Sequence, residues 1–341
     1  MLQDMTMSSD RPSILKTMRR FATGAAAAGA LALAASCSGG LDALDPSTDI
    51  TPKLAREIKS RGFRQEDAVL VRIFKEESEL EVWKRKPSGE FALFKTYPIC
   101  RWSGKLGPKK KIGDRQAPEG FYQVNMSRLN PKSQYYLSFN LGYPNRLESA
   151  LGYTGEALMV HGACSSSGCY AMTDPQVAEL YAMVLKAMKS GQRSFQVQAY
   201  PFRMTAANMA RHAGDPNMGF WRNLKQGYDA FQRTRREVAV SVCERRYQFN
   251  RSFTEEPGDP LGACPVAPGD TNLTADASTS EETVLESRMT AHAYVDGGMH
   301  PSFRAQLKRY GAKRFAAQVS TTKYPISRPD AALADPFKPT E

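Results

Sequence analysis

The segment His161-Gly162-Ala163-Cys164-Ser165-Ser166-Ser167-Gly168-Cys169-Tyr170-Ala171-Met172-Thr173 concentrates chemistry that is sparse elsewhere. It holds one of four histidines and two of six cysteines. Its small residues let the backbone turn sharply and leave amide N–H groups uncovered. That layout suits thiol acyl transfer. A cysteine is already partly thiolate near neutrality, which sets it apart from the hydroxyl nucleophiles. A neighbouring imidazole can take its proton, lower the thiol pKa by charge pairing and later return the proton to a leaving amine. On this reading Cys169 is the nucleophile and His161 the proton acceptor and donor. The backbone N–H groups of Gly168 and Cys169 would stabilise an oxyanion. Ser166 would orient the turn or touch substrate, or serve as a plain turn residue. Three blander readings stand beside this one: a metal site on His161, Cys164 and Cys169; a Cys164–Cys169 disulfide; and a buried His beside an inert Cys.

Several elements must position this segment. Val69 to Phe74 is β-branched and aromatic, and Leu80–Lys84 and Phe91–Ile99 continue it as a meander around Pro87-Ser88-Gly89. A loop rich in Gly, Pro and Lys runs from Ser103 to Gly120, and short strands come next at 121–124 and 137–141. Ala157 to Val160 then runs straight into His161. Thr173-Asp174-Pro175 begins a helix that ends at Ser190-Gly191. Val177, Leu180, Tyr181, Val184, Leu185 and Met188 recur at helical spacing and should face the core. Ser194 to Tyr200 is another strand. The expected fold is mostly β (α+β), a sandwich or barrel of short strands with one packed helix and a helical C-terminal appendage.

The expected domains are a signal peptide over 1–37, a linker over 38–66, a catalytic domain over 67–205, and a helical appendage over 206–254. A flexible linker over 255–290 and a tail over 291–341, with a helix from Ser302 to Ala317, complete the chain. Lys16, Arg19 and Arg20 precede the apolar run Phe21–Ser36, which is short for a membrane span of about 20 residues. Leu33-Ala34-Ala35-Ser36-Cys37 resembles a bacterial lipobox, with Ala34 where Leu is usual. Cleavage before Cys37 would leave a lipid-anchored, exported chain. Without Cys37 an odd five cysteines remain, which leaves one free thiol in an oxidising compartment. The net charge of +11 favours anionic surroundings such as a membrane surface or a polyanionic wall. No Arg/Lys helix interleaved with aromatics and no zinc-finger spacing points to nucleic acid.

His161-Gly162 and then Ser166-x-Gly168-Cys169 resembles the active-site signature of the L,D-transpeptidases with a YkuD-like catalytic domain, nearest the YafK-type branch. As in that branch, His and Cys lie eight residues apart. Ser167 stands where the main branch has a second His, and Tyr170 where it often has Arg. The likeness covers about residues 68–205, through Tyr97-Pro98-Ile99-Cys100, Ser103-Gly104-x-Leu106-Gly107-Pro108, Gly113-Asp114-x-Gln116-Ala117-Pro118-Glu119-Gly120-Phe121-Tyr122, Leu137-Ser138-Phe139-Asn140 and Tyr143-Pro144-Asn145. The resemblance implies a β-rich transpeptidase fold, a peptidoglycan stem peptide as acyl donor, a Cys169 thioester and no metal or organic cofactor. An amine would resolve the thioester in a transferase, and water in a hydrolase. The branch includes an enzyme that detaches wall-bound lipoprotein, so a wall-linked lipoprotein is a further candidate partner. A non-catalytic wall-binding lipoprotein is the competing reading. Arg101, Arg115 and Lys109-Lys110-Lys111 are candidates for stem-peptide carboxylates, or a solvated charged loop. Cys100 and Cys164 are one candidate disulfide pair, Cys243 and Cys264 another; connectivity stays open.

Overall fold

The computed structural model describes residues 48–266 and 296–319. The signal-peptide and lipobox readings, including Cys37, lie outside the described residues, as do most of the 255–290 linker and the end of the tail.

The chain enters through helix α1 (Pro52–Ser60), capped by Thr51 Oγ1 on the Leu54 N–H at 3.2 Å. Leu54 and Ile58, four residues apart on one helical face, are buried in the core. This stretch, expected from sequence as part of a tether, is therefore built into the fold.

Strands β1 (Val69–Phe74), β2 (Glu79–Arg85) and β3 (Phe91–Pro98) form the expected meander. Next come β4 (Arg101–Ser103), β5 (Gly120–Asn125), β6 (Leu129–Ser133), β7 (Tyr136–Asn140), the short helix α2 (Arg146–Ala150), β8 (Met159–His161) and β9 (Tyr170–Ala171). Helix α3 (Asp174–Lys189) and β10 (Ser194–Tyr200) follow. One sheet has the order β3-β2-β1-β10-β5. All six residues of β1 are buried because both faces of that sheet are covered. Val69, Val71 and Ile73 meet the other sheet and α3 in the main core, while Leu70 and Phe74 face a second core. Of the α3 residues expected inside, all are buried except Leu185, which is partly so.

Elements C-terminal to β10 close the second core: α4 (Ala206–Arg211), α5 (Met218–Thr234), and then a hairpin of β11 (Val240–Cys243) and β12 (Arg246–Phe249). The expected helical appendage is present, and the hairpin follows its helices within 206–254. Val240-Ser241-Val242-Cys243 alternates as a strand does, but its turn rests on Glu244 and Arg245, both at positive φ (53° and 60°). A two-residue hairpin turn of this hand normally announces itself with Asn-Gly or Asp-Gly, and here that signal is missing.

The other sheet has the order β13 (Asp296–Gly298), β4, β9, β8, β7, β6. Its outer strand β13 leads into helix α6 (Pro301–Val319), which is broken at Gly311. Met299, Phe303, Phe315 and Val319 pack over Cys100, Cys164 and Ala171. The tail helix is thus docked on this sheet rather than standing apart.

Candidate active site

Pleating sorts the second sheet into two faces. Leu137 and Phe139 of β7, Val160 of β8, Tyr170 of β9 and Trp102 of β4 point into the main core. The residues between them turn the other way: Ser138, His161, Ala171, Arg101 and Ser103. Register then assembles a site. Ser138 lies opposite His161, His161 beside Ala171, and Ala171 beside Arg101. Cys169 precedes β9 by one residue and keeps the alternation of Ala171. The Met159 N–H donates to Cys169 Sγ at 3.4 Å, and the thiol faces Ala157 O at 3.8 Å. By that alternation Cys169 and His161 fall on one face as diagonal neighbours, His161 lying beside Ala171 and Cys169 two residues before it. No hydrogen bond joins them at rest.

The turn between them is braced at three points. Cys164 is bonded to Cys100, with Cα atoms 5.5 Å apart. That bond disposes of both the Cys164–Cys169 bridge and a metal site on His161, Cys164 and Cys169. Cys243 pairs with Cys264, and Cys169 is the free cysteine among the described residues. Next, Asp174 at the start of α3 accepts the Ala163 N–H at 2.7 Å. This requires glycine at 162, where a Cβ would lie 2.6 Å from Asp174 Oδ1 and 2.9 Å from Tyr135 O. Finally, Ser166 Oγ accepts the Cys169 N–H at 3.1 Å and the Gly168 N–H at 3.4 Å, and donates to Cys169 O at 2.7 Å. The expectation that these amides stand uncovered is corrected: a hydroxyl caps both at rest. Ser103 Oγ lies 3.2 Å from that hydroxyl and ties the turn to β4.

Burial sets the protonation states. His161 is 3% exposed, and burial pushes its pKa down to about 4, opposed by the Gly162 carbonyl. Its Nδ1 lies 2.7 Å from Gly162 O. A carbonyl only accepts, so Nδ1 carries the proton and Nε2 presents a lone pair. Burial likewise raises the Cys169 thiol pKa, opposed by the Met159 N–H and the positive charge of Lys109. Burial thus favours the neutral form of both groups at rest.

The charged loop divides. Lys109 is buried and bound to Asp114 and to Lys111 O, whereas Lys110 and Lys111 are exposed. Arg101 is buried on the site face and Arg115 half-buried, with its backbone near Gly168. Sequence reasoning misses Tyr135, whose ring lies 4.7 Å from that of His161, because nothing in a hairpin turn marks such a contact. Asp174 is legible in sequence only as a helix-start residue; its reach back to Ala163 needs the fold.

Residues 69–221 match the family model described as YkuD, the L,D-transpeptidase catalytic domain. The chain is 43% identical over 213 residues to the protein of Escherichia coli strain K12 provisionally named L,D-transpeptidase YafK, covering 62% of this chain and 85% of that one. Among solved structures it is similar to the helical cell shape determining protein Pgp2 of Campylobacter jejuni at 18% identity, over 55% of this chain and 79% of that one, with a TM-score of 0.32. Bd1075 of Bdellovibrio bacteriovorus is similar at 16% identity, over 49% and 58% of the two chains, with a TM-score of 0.29. The span matched by the family contains the whole braced turn with its histidine and free cysteine, and the chain belongs to the L,D-transpeptidase (YkuD) family.

Proposed function

We propose that this chain is an exported L,D-transpeptidase that transfers peptidoglycan stem peptides through a thioester on Cys169, with His161 as the base. The observation that carries this reading is the tautomer of His161: its Nδ1–H is held by Gly162 O, which leaves Nε2 free on the face that carries the free thiol. In this reading the thiol turns from Ala157 O toward Nε2 when substrate is bound. Catalytic hydrogen bonds commonly tighten only once substrate is bound.

In the first step Sγ attacks the carbonyl carbon of an L-centre/D-centre peptide bond as its proton passes to Nε2. The carbonyl oxygen gains negative charge and competes with Ser166 Oγ for the Gly168 and Cys169 N–H groups. Collapse breaks the C–N bond, Nε2 gives its proton to the leaving amine, and a D-amino acid departs. An acceptor amine then attacks the thioester, losing a proton to Nε2, and Sγ leaves and recovers it. With water in place of the amine the same site is a hydrolase, and a wall-linked lipoprotein becomes a candidate substrate. Incubation with a defined disaccharide-tetrapeptide plus an amine acceptor, with mass spectrometry of the products, distinguishes cross-linked product from cleaved monomer. Wild-type product yield from Cys169→Ala would end the proposal.

Export is supported by the two disulfides, which persist in oxidising compartments. We assign Cys37 as the lipid-bearing residue. The full chain is expected in the membrane fraction, and Cys37→Ala in the soluble fraction; an unchanged distribution would refute the anchor.

A further inference from the structure

One buried polar group beside the site has no part in the mechanism so far. Ser138, on β7, is fully buried, and its Oγ has no hydrogen-bond partner among the described residues. Such orphaned groups are rare in native proteins and costly, so each calls for an explanation. Its place in the ladder supplies one. Ser138 is in register with His161, and the Gly162 N–H donates to Leu137 O at 3.2 Å. That bond flanks the pair from outside, so Ser138 and His161 form a non-hydrogen-bonded antiparallel pair. In this arrangement the side chains stand closest, with Cα atoms about 4.5 Å apart. Leu137 and Phe139 turn into the main core, which leaves Ser138 on the face of the imidazole.

We infer that Ser138 is a positioning residue for the acyl transfer: its hydroxyl oxygen has no partner at rest and turns its lone pairs toward the imidazolium that forms when His161 takes the Cys169 proton. The inference rests on the Cys169–His161 reading above. The hydroxyl rotor carries two lone pairs and can reorient as the ring becomes charged, without any backbone movement. The need for such a group is plain from the surroundings. Tyr135 meets the ring from the β6–β7 turn, Cys169 and Ala171 lie alongside on β9, and Arg101 stands beyond them on β4. Asp174 of α3 is engaged by the Ala163 N–H, and Lys109 of the 103–120 loop is paired with Asp114. None of these places a carboxylate on the His161 ring, and burial opposes its charging. A neutral acceptor dipole eases the charged form while leaving the resting base neutral.

The test compares wild type, Ser138→Ala and Ser138→Thr in single-turnover acylation of Cys169 by a carbapenem, read as added mass between pH 4 and 8, together with melting temperatures. Ser138→Ala is expected to slow acylation about tenfold, as loss of an acceptor to a charged group would. Its acidic limb should move to lower pH by about half a unit, because the charged imidazole has lost support. Its melting temperature should hold or rise, since an unsatisfied buried hydroxyl has been removed. Ser138→Thr, which keeps the hydroxyl and suits a strand, should restore the rate to within about twofold. A wild-type rate and limb in Ser138→Ala, with Cys169→Ala silent, overturns this inference alone. So does a loss in Ser138→Ala that comes with a lower melting temperature and is not rescued by Thr. Acylation persisting in Cys169→Ala overturns the reading beneath it.

Discussion

At the scale of the residue, burial opposes charge on His161 and on the Cys169 thiol. His161 stays neutral because it is buried, and its proton stays on Nδ1 because Gly162 O accepts it. This has a consequence for stability. The unfolded chain protonates the imidazole near its ordinary value of 6.5, whereas the folded chain resists until about 4. Between those values the unfolded state binds the extra proton, so stability falls as pH drops from 6.5 toward 4. The full loss is on the order of 3 kcal/mol. His161→Gln should therefore lose less melting temperature than wild type between about pH 7 and pH 4.5, measured by thermal unfolding. Equal losses in the two proteins would mean that the imidazole titrates alike in the folded and the unfolded chain.

At the scale of the element, two very short strands separated by a braced turn hold the proposed nucleophile and base in place. A two-residue strand such as Tyr170–Ala171 cannot fix the neighbouring Cys169 unaided, and the Cys100–Cys164 bond ties the turn to the strand end beside it. The bond closes a separation of 64 residues, and chain-entropy reasoning assigns such a closure about 4 kcal/mol. Replacing both cysteines by Ala should lower thermal stability by roughly that amount and slow acylation of Cys169, because the turn loses an anchor. An unchanged acylation rate would show that Asp174 and Ser166 suffice. Much at this scale is legible in the sequence. Val69–Phe74, Asp174–Lys189 and Ser194–Tyr200 have strong periodicity and clear boundaries, and they fall where patterning puts them. Leu129–Ser133 does not, since Pro131 and its polar neighbours read as loop. Asp296–Gly298 does not either, because a strand ending in Gly-Gly carries no side-chain pattern and exists only by pairing with β4. His161 and Cys169 stand out in the sequence by type and spacing, and the fold brings both to adjacent strand positions. The capping of the Gly168 and Cys169 amides by Ser166 is not, because it depends on a loop conformation that no local pattern specifies.

At the scale of the whole molecule, the appendage and the site loop share a buried network. Lys75 and Glu119 are both fully buried and 2.8 Å apart. Lys75 also donates to Gly107 O and Ala117 O, and Trp221 of α5 donates to the other Glu119 oxygen at 2.8 Å. The second core thus reaches into the 103–120 loop, whose first residue, Ser103, touches Ser166. Glu119→Gln would strand the Lys75 charge in the interior and is expected to cost about 3–5 kcal/mol. A paired Lys75→Met, Glu119→Leu variant should recover most of it, as chemical denaturation would measure. An additive loss in the double variant would show that the pair is not the source. Such long-range coupling is closed to sequence reading, since Lys75, Glu119 and Trp221 are far apart in the chain and each is unremarkable alone.

The claim on which the rest depends is that the Cys169 sulfur carries the acyl group. Its most direct test is to quench the wild-type enzyme during turnover of a defined tetrapeptide substrate, digest it, and locate the acyl adduct by mass spectrometry. The adduct is predicted on the peptide that contains Cys169, with an added mass equal to that of the donor minus the released D-amino acid. It should be absent from Cys169→Ala and strongly reduced in His161→Gln. An adduct on another residue, or product formed by Cys169→Ala without one, would contradict the account.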